Sequence, residues 1–167
     1  MKVLGLTGWS GSGKTTLGAQ LIPRLTQRGL RISTLKHAHH AFDVDTPGKD
    51  SHRHRLAGAS QVLVSSAKRW VLMTELRGAT ELRFEEALAH LAPCDLVLVE
   101  GFKQENFPKI EVHRPSVGKP LLYPEVPGVR AVASDQPLAL PEGIDALNLE
   151  DLDAIEAWIL RFCAWPN

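Results

Sequence analysis

The stretch that decides the fold is Gly8-Trp9-Ser10-Gly11-Ser12-Gly13-Lys14-Thr15. It satisfies the phosphate-binding pattern G-x-x-x-x-G-K-S/T at every fixed position. Before it runs Lys2-Val3-Leu4-Gly5-Leu6-Thr7, apolar and of strand length; after it Thr16-Leu17-Gly18-Ala19-Gln20-Leu21-Ile22 reads as a helix. Strand, glycine-rich loop and helix in that order are the context that gives the pattern its chemistry. Gly8, Gly11 and Gly13 leave room for phosphate oxygens against the main chain, and successive N–H groups form an anion nest at the positive end of the helix. Gly11, Ser12, Gly13, Lys14, Thr15 and Thr16 are therefore the candidate phosphate-binding residues. Lys14 is placed to reach the β- and γ-phosphates and the Thr15 hydroxyl to enter a Mg²⁺ shell.

Outward from that loop, Leu17, Leu21 and Leu25 mark the buried face of a helix from Lys14 to about Arg28, with Pro23 inside it and Gly29 as its C-cap. Leu30 to Leu35 is the next strand, completing a βαβ unit. The segment from Lys36 to Asp50 is polar and aperiodic, and a loop of that length is usually functional or disordered. Ser51 to Ala59 reads as a short helix capped by Asp50 or Ser51. Gln61–Ser65 and Arg69–Leu76 are strands joined too closely for a parallel crossover, hence an antiparallel pair. A helix from about Arg83 to Leu91 precedes Asp95 to Gly101, whose apolar run reads as a strand buried on both faces. Ile110–His113 and Val129–Ala133 are further strands, and four prolines between them point to irregular surface structure. A helix from about Leu149 to Phe162 ends the pattern. The expected architecture is a single α/β domain over residues 1–167: a mostly parallel central sheet flanked by helices, with some antiparallel strands.

Composition limits the function. The chain has 167 residues, 44% apolar and 23% charged, with nineteen basic and nineteen acidic side chains. That is a soluble, neutral composition which gives no support for nucleic-acid binding. Cys94 and Cys163 stand apart and form no C-x-x-C pair, which argues against a disulfide scaffold or zinc ribbon. The chain opens on a core strand without a signal-peptide pattern and carries no apolar run of membrane-spanning length, so the expected location is the cytoplasm.

Other candidates follow from position. Glu100 ends the buried strand, where a carboxylate holds Mg²⁺ or orients an attacking water. Asp43, Asp45 and Asp50 are alternatives for either task; Asp45 stands with Lys14 and Glu100 as a candidate catalytic residue. His37, His39 and His40 invite a metal reading, but their spacing matches no closed site, and a polar loop near the phosphates accounts for them as well. Arg53, His54 and Arg55, and likewise Lys103 and Lys109, either contact a second anionic ligand or form solvated faces. Asp135, after Ala133-Ser134, is either a guanine-binding carboxylate or a turn aspartate before Pro137; no intact N/T-K-x-D motif exists.

Several stretches together resemble the molybdopterin-guanine dinucleotide biosynthesis protein B family, MobB. They are Gly8 to Thr16, Leu35-Lys36-His37-Ala38-His39-His40-Ala41-Phe42-Asp43-Val44-Asp45, Pro47 to Ser51, Arg53 to Ala59, Leu98 to Lys103, Pro108 to Val112 and Ala133 to Asp135. The resemblance implies a homodimeric P-loop GTPase that hydrolyses GTP slowly and assists MobA, the enzyme that attaches GMP to molybdenum cofactor. By position it implies phosphate binding by Gly11 to Thr16, a Mg²⁺ site at Thr15 and Glu100, and guanine contact at Asp135. The sequence lacks the early P-loop lysine that some dimeric relatives use across their interface. A nickel-insertion accessory GTPase, a small-metabolite kinase and a non-enzymatic adaptor are the alternative readings.

Overall fold

The computed structural model describes residues 1–38 and 42–165. The chain divides into two compact units, residues 1–37 with 84–167, and residues 38–83.

The first unit is built on a six-stranded sheet: β1 (Lys2–Thr7), β2 (Ile32–Lys36), β5 (Leu96–Glu100), β6 (Lys109–His113), β7 (Val129–Ser134) and β8 (Asp145–Asn148). Its order is β2-β5-β1-β6-β7-β8, and every pairing is parallel. Strand order therefore reverses around β1, and the crevice outside the carboxyl ends there is where open α/β sheets take ligands.

Helix α1 (Lys14–Gln27) follows β1 and continues through Pro23. Its Leu17, Leu21 and Leu25 are buried with Leu4 and Leu6 of β1, Leu96 and Leu98 of β5, and Ile155 and Ile159 of α4 (Leu152–Phe162). Val97 and Val99, pointing the other way from β5, pack with Phe84 of α3 (Phe84–Ala89) and with Phe107. The alternation explains the uninterrupted apolar run: both faces of β5 are covered. Helices α1 and α4 are also clamped by charge. Glu156, almost fully buried, accepts from Arg24 Nε at 2.7 Å and also pairs with Arg28. Burial alone would raise its pKa; the two guanidinium groups outweigh that and hold it below the ordinary carboxylate value.

Three expectations change in this unit. Strand β8 was not foreseen; it has one large apolar residue, Leu147, and is recruited by pairing with Ala131–Ser134. Lys109 is fully buried, not a solvated or ligand-facing lysine; its ammonium donates to the carbonyls of Glu105, Phe107 (3.3 Å) and Pro127 (2.7 Å). Burial pushes its pKa down to about 8, with Glu105 partly opposing. The proline-rich segment is not merely surface: Leu122 and Val126 are buried, and Glu111, also buried, accepts from the N–H groups of Leu122 and Tyr123 at 2.7 and 2.9 Å. Cys94 and Cys163 are free thiols, as their spacing implied.

The second unit holds α2 (Asp50–Leu56) and an antiparallel pair, β3 (Gln61–Ser65) and β4 (Trp70–Thr74). Neither Asp50 nor Ser51 caps α2; Lys49 is the N-cap residue, and the Ser51 hydroxyl donates to Asp45 instead, at 2.8 Å. Arg55 is the hub, paired with Asp43 at 2.5 Å, Glu75 at 3.2 Å and Asp45 at 3.4 Å. The hairpin is apolar yet open: Leu63, Val64, Trp70, Val71 and Leu72 are all exposed, Trp70 to 69%.

Candidate nucleotide site

The phosphate loop leaves β1 at Thr7 and enters α1 at Gly13, the helix N-cap. Gly8 is required by contact: a Cβ there would lie 2.4 Å from the carbonyl oxygen of Val112 and 2.7 Å from Ser12 Oγ. The loop closes on itself through Ser12 N–H to the Trp9 carbonyl at 3.2 Å. The Lys14 ammonium donates to the carbonyls of Gly8 and Trp9 at 3.0 and 2.8 Å. Burial holds its pKa below the ordinary lysine value; Glu100 opposes this, and Lys103 and Lys36 add to it. The hydroxyls of Thr7 and Ser12 are buried at the base of the loop without a hydrogen-bond partner among the described residues.

Parallel pairing brings the acidic residue alongside. Glu100 lies opposite Leu6 of β1 and Lys36 of β2. The Thr15 hydroxyl donates to Glu100 Oε2 at 3.2 Å, and Lys36 Nζ is 3.9 Å from the same oxygen. Lys14, Thr15 and Glu100 thus share one corner of the sheet, although Thr15 and Glu100 stand 85 positions apart in the sequence. A hydroxyl and a carboxylate oxygen side by side are the hard donors Mg²⁺ takes, the rest of its shell being water and phosphate. Gly11, Thr15 and Thr16 are exposed and Ser12 is buried, so the loop presents its outer surface to solvent.

Asp135 stands at the end of β7, two strands from the phosphate loop. Its Oδ2 accepts from Arg114 at 2.6 Å, and Arg114 also pairs with Glu150 at 3.2 Å. Asp135 Oδ1 is buried without a hydrogen-bond partner among the described residues. Beside it a cavity of about 220 Å³ is lined by Ser134, Asp135, Gln136, Leu138, Leu147 and Asn148, at the carboxyl ends of β7 and β8. Arg114 escaped the sequence reading; its position directly after a strand neighbouring β1 was the available signal.

Asp45 belongs to the second unit, where its side chain is nearly buried between Ser51 and Arg55. That is a structural task. His39 and His40 lie outside the described residues. Among the described residues no three His, Cys, Asp or Glu side chains gather as a metal centre would. Nor is any helix among them long and apolar enough to cross a membrane.

Comparisons with known proteins identify the family. The family model described as molybdopterin guanine dinucleotide synthesis protein B, MobB, matches residues 3–135. The chain belongs to the MobB family. This MobB chain is 45% identical over 163 residues to a molybdopterin-guanine dinucleotide biosynthesis adapter protein of Haemophilus influenzae, covering 96% of the chain and 90% of that protein. It is 42% identical to the protein of the same description from Escherichia coli, over 99% of the chain and 95% of the relative. Among solved structures, a MobB homolog from Bacillus stearothermophilus superposes with a TM-score of 0.72 at 27% identity, covering 98% of this chain and 99% of that one. The MobB match spans the phosphate loop, Glu100 and Asp135, and its boundary falls at Asp135.

Proposed function

We propose that this MobB-family chain is an adapter of molybdopterin-guanine dinucleotide biosynthesis that binds GTP with Mg²⁺ and hydrolyses it slowly. The observation that carries the reading is the convergence of Lys14, Thr15 and Glu100 at one corner of the sheet, with Thr15 and Glu100 in hydrogen-bond contact at 3.2 Å. Phosphate oxygens replace the two loop carbonyls as acceptors for Lys14, a charge-assisted exchange that favours the anion. Thr15 and Glu100 are the residues that would hold Mg²⁺, which when bound neutralises charge on the phosphate oxygens. The unpartnered Oδ1 of Asp135, beside a cavity at the ends of β7 and β8, supports guanine recognition there. The names of the relatives support a role in molybdopterin-guanine dinucleotide biosynthesis; in this reading the partners are MobA and the molybdopterin, and the compartment is the cytoplasm.

The protein acts in this reading as a homodimer joined through the β3–β4 hairpin. An apolar two-stranded sheet with open edges is the surface a second copy covers. Trp70→Glu is expected to convert the dimer to monomer, read by sedimentation; an unchanged mass would remove the hairpin from the interface.

Isothermal titration with GTP and ATP analogues in Mg²⁺ tests the nucleotide assignment. GTP binding clearly tighter than ATP is expected, and Lys14→Ala is expected to be silent. Equal or tighter binding of ATP would favour the kinase reading, in which the γ-phosphate passes to an acceptor other than water.

A further inference from the structure

The turn after β5 is built against steric preference. Gly101 and Phe102 both take left-handed backbone angles, φ +93° and +48°. A non-glycine residue held there is retained by its surroundings, and such residues cluster at functional sites. The surroundings are visible. A Cβ on Gly101 would lie 2.6 Å from the Cβ of His37, so the chain passes too closely for any side chain. The Phe102 ring stacks on the His37 ring at 4.6 Å between centroids and lies against Phe84 at 5.2 Å. His37 in turn is fastened by its N–H to the Glu100 carbonyl at 2.8 Å.

What this turn delivers is Lys103. Its ammonium lies 5.4 Å from the centre of the Trp9 ring, on the phosphate loop itself. Trp9 therefore meets three cations: its carbonyl accepts from Lys14, and its ring faces both Lys103 and Lys119, the latter at 5.6 Å. Neither the carbonyl nor the ring is an anion. A lysine over a half-buried aromatic ring is held weakly compared with one bonded to a phosphate oxygen. Lys103 is also close enough to Lys14 to disfavour its charge, so the corner holds more positive charge than Glu100 balances. Positions 9 to 12 of the loop, Trp-Ser-Gly-Ser, contain no lysine of their own.

We propose that Lys103 is a second phosphate-binding cation that grips the terminal phosphate of a bound nucleoside triphosphate. This rests on the GTP reading above. Lys103 follows β5, but its ammonium stands over Trp9 of the phosphate loop, whose ring packs against Leu122, Val126 and Val129, while Asp135 and its cavity lie at the carboxyl ends of β7 and β8. In this role Lys103 distinguishes triphosphate from diphosphate, and it supplies from within the same chain a charge that the loop lacks.

The test is titration of wild type, Lys103→Gln, Lys103→Arg and Lys14→Ala with a non-hydrolysable GTP analogue and with GDP, in Mg²⁺ at fixed ionic strength. Lys103→Gln is expected to bind the triphosphate about tenfold more weakly while GDP affinity stays within about twofold, and Lys103→Arg to recover most of the loss. Equal loss for both nucleotides, or none for either, overturns the assignment. Wild type that binds neither nucleotide, or Lys14→Ala that binds both normally, overturns the phosphate-loop reading and this inference with it. Lys14→Ala silent with Lys103→Gln unchanged overturns Lys103 alone.

Discussion

The two ends of the candidate nucleotide site are held ready in different ways. At the phosphate end, Lys14 rests on two carbonyls and Lys103 on an aromatic ring, acceptors that a phosphate oxygen outcompetes. At the base end, Arg114 binds Asp135 and Glu150, and charge meets charge. The first end takes an anion without breaking an ion pair. The second has one carboxylate oxygen committed and one without a partner among the described residues, so in the proposed GTP reading recognition there would use Oδ1 while Arg114 keeps Oδ2. Affinity should therefore reside at the phosphate end and selectivity at the base end.

The largest effect is expected of Lys14→Ala. A loss of GTP and GDP affinity of about 100-fold or more is expected, on the scale of a buried charge-assisted contact. Retention of binding would mean that the loop is not where affinity arises. Next in size is Asp135→Asn, expected to reduce the preference for GTP over ATP by about tenfold while ATP affinity hardly moves. A parallel loss for both nucleotides would make Asp135 a structural partner of Arg114 and nothing more. The smallest effect concerns Lys109, which shows what a lysine does when carbonyls are its permanent partners. Its folded pKa, about 8, lies below the ordinary lysine value. Between about pH 8 and pH 10.4 the unfolded chain therefore binds a proton that the folded chain does not, and stability rises with pH through that window. Urea melts of Lys109→Met at both limits should lack this rise relative to wild type, whatever the variant's overall stability. An identical pH slope in the two proteins would show that Lys109 is charged and solvated.

This contrast also explains what could be read from the sequence. The phosphate loop, α1 and β5 are local: glycine spacing, a four-residue leucine repeat and an apolar run each announce themselves within a dozen positions. Glu100 was legible because a strand end beside a phosphate loop is a defined place. Arg114 and Asp135 meet across 21 positions, and no local pattern announces such a pair. Strand β8 is four residues long and owes its existence to β7. Lys109 reads as a surface residue in any window, because its partners are backbone carbonyls and the sequence carries no letter for them. Asp45 looked like a loop carboxylate near a nucleotide; the arginine that occupies it lies ten residues on, in a helix whose direction had to be known first.

The polar face of β6 carries a consequence for how the chain folds. Ile110 and Val112 join the apolar core, while Lys109 and Glu111 point to the other face and are buried beneath the segment that returns to β7. That face is covered by peptide groups: Lys109 takes the Pro127 carbonyl, Glu111 takes the N–H groups of Leu122 and Tyr123, and Trp9 Nε1 donates to the Pro120 carbonyl at 2.8 Å. Such contacts give little until the strand beneath them is fixed, because each needs a defined donor direction. The cover over β6 is therefore expected to close after the sheet and to open before it, as a separate cooperative step. Native-state hydrogen exchange would register this as earlier exchange at Leu122 and Tyr123 than at the β1–β5 pair. Through Trp9, that late-closing segment is tied to the phosphate loop, so a bound nucleotide would slow its opening.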